Sequence, residues 1–272
     1  MKLTIITPCK NAESYIEETV ASVLGQSAVQ SGRVELQYFI CDGNSSDDTL
    51  QRLSRFDSNQ IQIFSESDKS VYDALAKGLR HADGDIVAYI NAGDYYHPRA
   101  FDIVIDIFEQ RRCDWITGCS MFYSHNSYLI DFYLPFKYRR RFFECGFYYK
   151  RLHAVQQEST FWRQSLMKHI DLDRLANFSY AGDYYIWNEF SKYSELAIIC
   201  AYLGGFKIHK GQLSEDKNGY AQELFSITSR PTLTDHALSL FDMAVFRLPI
   251  RIKKHLNPRG ILRYDHVTSS FI

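Results

Sequence analysis

The chain has 272 residues, enough to bury a full core in one large domain or in a main domain with an appendage. Its 31 basic and 32 acidic side chains nearly cancel, so it offers no basic field of the kind that recruits nucleic acid. Many of the 19 Tyr and 19 Phe crowd into 122–149, a density that suits a core, a sugar-stacking surface or a lipid contact.

Taken in order, Leu3 to Thr7 reads as a first strand and Thr7 to Asn11 as the loop leaving it. Asn11 is placed to cap a helix with Ile16, Val20, Val23 and Leu24 on one stripe. Leu36 to Cys41 is a second strand ending in Asp42-Gly43-Asn44. Ser45 to Asp48 has the pattern of a capping box, and Leu50 and Leu53 give the next helix its buried face. A short strand at Ile61 to Phe64 leads through Glu66 to Lys69 into a helix carrying Val71, Leu75 and Leu79. Ile86 to Ile90 is β-branched and apolar, a buried strand, and it stops at Asn91-Ala92-Gly93-Asp94. Pro98 suits the first turn of a helix running to about Gln110.

Strand and helix alternating with short loops predict an α/β fold, a mostly parallel central sheet with helices on both faces. The polar loops 7–11, 42–46, 66–69 and 91–94 then collect at the carboxyl edge of that sheet, where such folds bind ligands. Taken alone, Asp94 is either a turn-shaping Asp or a carboxylate presented to chemistry at that edge. No Gly-x-Gly-x-x-Gly follows the first strand and no P-loop occurs, which disfavours dinucleotide and P-loop chemistry.

Further along, Lys137, Arg139, Arg140, Arg141 and Lys150 stand among Phe and Tyr, either a surface for a diphosphate-lipid or a solvated loop with a buried underside. Residues 215–230 read as a polar connector. From Thr234, Ala237, Leu238, Leu240, Phe241, Val245, Phe246 and Leu248 predict an amphipathic helix, followed by Arg247, Arg251, Lys253, Lys254 and His255. That combination fits a peripheral contact with anionic lipid, or a helix docked on the domain. The end, 265–272, reads as loose. The six cysteines contain no Cys-x-x-Cys pair and read as buried free thiols. With no signal-peptide core at Met1 to Ile6 and no long apolar run, the expected location is the cytoplasm, at most against the inner face of the cytoplasmic membrane.

Several motifs resemble the family 2 glycosyltransferases of the GT-A fold, in that family's order and spacing. They are Ile6-Thr-Pro-Cys-Lys-Asn11, Cys41-Asp-Gly-Asn-Ser-Ser-Asp-Asp-Thr49, Ser67-Asp-Lys-Ser-Val-Tyr-Asp-Ala74 and Asn91-Ala-Gly-Asp94. Gln157-Glu-Ser-Thr-Phe-Trp-Arg163, Ala181-Gly-Asp-Tyr184, His209 and Gln212-Leu-Ser214 continue the series. The resemblance spans about residues 1–215 and implies a Rossmann-like GT-A domain there. Residues 1–98 would form the nucleotide-sugar half and 99–215 the acceptor and catalytic half, with 216–272 a helical, membrane-associating extension.

The resemblance also implies roles. Thr7, Pro8 and Asn11 would border the base, and Asp42 would accept hydrogen bonds from base or ribose. Asp68, Lys69 and Asn91 would face the nucleotide, with Lys69 toward the diphosphate; read from composition alone, Asp68 and Lys69 are a solvated loop. Asp94 matches the last carboxylate of the family's metal motif, and the sequence departs from it at Gly93, where many members have another Asp. His209 would be the second ligand of a divalent cation, Mn²⁺ or Mg²⁺, and its imidazole favours Mn²⁺; otherwise it ends a strand over Gly205 to Ile208. Asp183 would be the general base, or else only a helix N-terminal charge. Gln157 or Glu158 would touch donor or acceptor hydroxyls, while Trp162 fills the core.

The implied activity is inverting transfer of a sugar from a nucleotide-diphosphate sugar to a glycan or lipid-linked hydroxyl, in bacterial-type polysaccharide or lipopolysaccharide assembly. A nucleotide-sugar binder on the same fold without turnover is the alternative, kept open by Gly93. A sugar-phosphate nucleotidyltransferase would need a Gly-rich basic loop after the first strand, which 7–11 does not supply.

Overall fold

The computed structural model describes residues 1–272 except 57, 58, 60 and 210. Its strands run in chain order from β1 (Lys2–Cys9), β2 (Glu35–Asp42) and β3 (Gln62–Ser65) to β4 (Ile86–Tyr89) and β5 (Tyr95–Tyr96). Then come β6 (Trp115–Thr117), β7 (Ser120–Ser124), β8 (Leu129–Tyr133) and β9 (Thr160–Arg163). The last are β10 (Ala197–Ile199), β11 (Gly204–Ile208) and β12 (Ile261–Leu262).

Eight of them form one sheet in the order β3-β2-β1-β4-β9-β6-β10-β12, parallel throughout except for β9, which is antiparallel to both neighbours. Leu3 to Cys9 and all of β4 are buried, as befits strands covered on both faces rather than one. Trp162 of β9 is fully buried against Tyr89, Trp187 and Phe190. A second sheet of four strands has the order β5-β11-β7-β8.

Because β1, β2 and β3 are parallel, their exit loops meet at one edge and hydrogen bonds knit them. Gly43 N–H donates to the Cys9 carbonyl at 2.8 Å, and Glu66 N–H to the Asp42 carbonyl at 3.0 Å. Asn11 does not cap the following helix, Ile16–Leu24, whose N-cap Tyr15 has no side-chain cap bond. It adopts a left-handed φ of 49°, and its Oδ1 accepts from Ser46 N–H at 2.9 Å. Ser45 to Asp48 forms no capping box either: Asp47 instead accepts from Thr49 N–H and from Glu13 N–H, tying this loop to the first.

The C-terminal part is more tightly built than its composition suggests. The polar stretch after 215 contains a helix, Lys217–Ile227, capped by Asp216. A second, Leu233–Phe246, starts with a true capping box between Thr232 and Asp235. The final residues form a hairpin, Tyr264–Asp265 with Ser270–Phe271, whose Phe271 ring is buried. Through β12 this segment supplies an edge strand of the main sheet. No described helix is long and apolar enough to cross a membrane.

Most of the basic aromatic segment turns inward. Arg139 makes a bidentate pair with buried Asp242 at 2.7 and 2.8 Å, and Arg141 bonds Asp235 at 3.0 Å. Both carboxylates lie on helix 233–246, so these arginines dock that helix on the domain. Arg139→Ala leaves the Asp242 carboxylate buried and unpaired, an expected loss of about 2–3 kcal/mol. In a thermal melt that is a drop of roughly 4–10 °C for a chain of this size; an unchanged melting temperature would contradict the docking.

Candidate active site

A cleft of about 640 Å³ opens along the carboxyl edge between the two sheets. Pro8, Asn11, Asp68, Lys69, Asn91, Asp94, Asp183 and His209 all line it, so residues up to two hundred positions apart share one wall. Thr7 and Asp42 do not. Thr7 lies behind the wall with its hydroxyl on Tyr38, 3.0 Å away. Asp42 is buried, and its carboxylate accepts from Ser45 N–H at 3.1 Å, from the Ser45 hydroxyl and from the Ser65 hydroxyl at 2.6 Å. A nucleotide contact through Asp42 therefore requires one of those hydroxyls to turn away; its neighbour Gly43 borders the cleft directly.

Asp94 is the most constrained of these groups. Thr19, from the first helix, accepts from Gly93 N–H at 3.0 Å and donates to the Asp94 carbonyl at 2.7 Å, fixing the turn. The Asp94 carboxylate accepts from Lys207 N–H on β11 and from Gln157 Nε2, each at 3.0 Å. Burial pushes its pKa up to about 7, opposed by those two donors and by the Lys207 charge. Glu158 lies buried behind it with Oε1 lacking a partner. Burial first, and the Asp94 charge second, hold the Glu158 carboxyl well above the usual range.

Gly93 now has a physical account. Its φ of 109° is strained for any side chain, and a Cβ there would stand 3.4 Å from His209 Nε2. The His209 ring, stacked on Tyr15 at 4.4 Å, lies beside the position where a second acidic side chain would branch. Among the described residues no group of three or more His, Cys, Asp or Glu is arranged to hold a metal. Asn91 Oδ1, however, is buried at the same turn without a hydrogen-bond donor. One carboxylate, one orphaned amide oxygen and one imidazole fit a hard divalent cation that takes its remaining oxygens from a diphosphate.

Lys69 is exposed on the rim. Asp68 is paired with Lys77, and burial raises its pKa in spite of that cation. Asp183, half-buried at the start of helix Gly182–Ser191, accepts on Oδ1 from Tyr184 N–H at 2.7 Å and from the Tyr220 hydroxyl at 3.1 Å. Burial raises its carboxyl to about 6, against the pull of those donors. Sequence reasoning missed Tyr15, Tyr72, Tyr180, Phe206 and Tyr220, which also line the cleft. Their aromatic character was visible; nothing in their spacing distinguished them from core residues.

The sequence profile of glycosyl transferase family 2 matches residues 4–186. The chain is 23% identical to the Escherichia coli UDP-Glc:alpha-D-GlcNAc-diphosphoundecaprenol beta-1,3-glucosyltransferase WfgD, over 79% of this chain and 80% of WfgD. Among solved structures, S. aureus TarS 1–349 in complex with UDP-GlcNAc superposes with a TM-score of 0.64 at 14% identity, covering 94% of this chain and 70% of TarS. The mannosyltransferase PcManGT from Pyrobaculum calidifontis, in complex with GDP-Man and Mn²⁺, gives 0.59 at 15% identity, covering 93% and 73%.

Proposed function

The chain belongs to glycosyl transferase family 2, and from that premise we propose that it transfers a sugar from a nucleotide-diphosphate sugar to a hydroxyl of a glycan or lipid-linked acceptor, inverting the anomeric carbon. The observation that carries this reading is that Asp94 and Asp183, 89 positions apart in sequence, line one cleft. The names of the relatives support it further: WfgD acts on a diphosphoundecaprenol acceptor, and TarS and PcManGT were crystallised with nucleotide sugars.

In this reading the donor lies along the loops after β1 to β4, bordered by Pro8, Asn11, Gly43, Asp68 and Lys69. Asp94, Asn91 and His209 would hold a divalent cation, Mn²⁺ in preference to Mg²⁺, which when bound offsets charge on the departing diphosphate. Asp183 takes the proton of the acceptor hydroxyl as its oxygen forms the new bond to the anomeric carbon; the bond from that carbon to the diphosphate oxygen breaks on the opposite face. Phe206 and Tyr180, apolar walls of the same cleft, offer faces on which an acceptor sugar can rest. Thermal melts with UDP-, GDP- and TDP-sugars, each with Mn²⁺ or Mg²⁺, test the reading. One nucleotide series should raise the melting temperature, and more so with the cation. No shift with any of them would overturn it.

The lipid-facing part of the proposal rests on the outer face of the C-terminal helices. Leu240, Phe241, Leu248 and Ile252 are 56, 49, 38 and 43% exposed, with exposed Arg247 and Arg251 beside them. Lys253 and Lys254 do not join them, since their ammonium groups bond backbone carbonyls of Leu134 and of Pro258 and Ile261. Deleting the segment is a poor test, because β12 and Phe271 belong to the core. Replacing Leu240, Phe241 and Leu248 together by Ser is expected to abolish co-sedimentation with phosphatidylglycerol vesicles without lowering the melting temperature; unchanged co-sedimentation would remove the lipid contact.

A further inference from the structure

Asp183 opens its own helix, yet its carboxylate is held from elsewhere. Helix Lys217–Ile227 lies beyond residues 4–186, the stretch that matches the family profile. It sends the Tyr220 hydroxyl to Asp183 Oδ1 at 3.1 Å. One turn on, Glu223 accepts from the N–H groups of Ser179, Tyr180 and Ala181, at 2.7, 2.8 and 2.8 Å, fixing the strand of backbone that leads into the base. The Tyr220 ring is itself fixed by stacking on Tyr149 at 4.7 Å. From the other side comes Tyr72, packed so closely that a Cβ on Gly182 would lie 2.4 Å from its ring. Its hydroxyl donates to the Tyr180 carbonyl at 3.0 Å.

We propose that Tyr220 is the positioning residue of the base. By engaging Oδ1 together with Tyr184 N–H, it fixes the carboxylate rotamer and directs the incoming proton to Oδ2. This rests on the reading of Asp183 as the base, and it makes the C-terminal helix part of the acceptor-activating apparatus rather than a connector. The titratable groups that interact with Asp183 are Tyr72, Tyr89, Tyr184 and Tyr220. Burial raises the Asp183 carboxyl; against it act the Tyr184 N–H, then the Tyr220 hydroxyl, then Tyr72, so removing the Tyr220 hydroxyl removes one of the influences that pull it down.

The test is an infrared titration of the protein alone. The spectrum of wild type minus Asp183→Asn isolates the Asp183 carboxyl, and the same difference on a Tyr220→Phe background isolates it without the bond. The midpoint is expected to move up by about one pH unit, the size of a hydrogen bond to a charged group. A residue that only filled space would leave it in place, and an unmoved midpoint overturns the proposal. If Tyr220→Phe does not fold, a ring-fluorinated tyrosine at 220 keeps the bond and strengthens it, and the midpoint moves down instead; no movement again overturns the proposal. Failure of the underlying reading is distinct. If Asp183→Asn still transfers sugar from the donor found in the melting panel, the base assignment falls and the role of Tyr220 with it.

Discussion

Asp183→Asn is expected to lower sugar transfer by about 10²–10⁴-fold, while binding of the nucleotide-sugar donor stays within about twofold of wild type. The substitution keeps the shape and the Oδ1 acceptor for Tyr184 N–H and the Tyr220 hydroxyl, and removes only the ability to take a proton. The pH dependence follows with a definite sign. Burial raises the Asp183 carboxyl to about 6, so the base form is depleted below that and activity climbs as pH passes upward through it. Stability runs the other way. The native state binds this proton more tightly than the unfolded chain, so Asp183 costs stability as pH rises from the ordinary carboxylate range through 6. The Asn variant lacks that cost and should melt no lower than wild type above pH 6. A transfer rate within tenfold of wild type in a folded variant would remove Asp183 from catalysis.

Asp94→Asn carries the second large effect: loss of about two orders of magnitude in cation affinity, roughly 3 kcal/mol. The fold should tolerate it. The Asn oxygen can still accept from Lys207 N–H, and the new amide nitrogen would face Gln157 Nε2. Gln157 Oε1 is buried without a partner, so rotating that amide presents an acceptor where a donor had been. The measurement is a melt with UDP, with and without Mn²⁺. Wild type should gain extra stabilisation from the cation; Asp94→Asn should respond to UDP alone and ignore Mn²⁺. A cation response equal to wild type would show that Asp94 is no ligand.

Much of this molecule was legible as text. The period of apolar residues in Leu3–Thr7, Leu36–Cys41 and Ile86–Ile90 marks buried strands, and β1, β2 and β4 appear there because such runs are stable only under cover on both faces. The motif order was enough to name the family. The capping signals were less dependable. Asn11 and Ser45 to Asp48 have cap chemistry, but side-chain oxygens that can cap can equally bond a neighbouring loop, and in the assembled edge they do. The connector after 215 read as polar because its helix buries little and contains Gly219; its worth lies in what Tyr220 and Glu223 reach across space.

Local sequence thus determined the strands, the loops they shed and the residue types available for catalysis, since hydrophobic period and turn chemistry act over a few residues. Tertiary structure alone decided which of those residues meet. It withdrew Asp42 and Thr7 from the cleft wall, spent Arg139 and Arg141 on docking a helix, and set His209 beside Gly93. The physical reason is that burial and pairing depend on the partners that arrive from distant segments. A side chain's charge state and contacts are therefore fixed only once the sheet edge has closed.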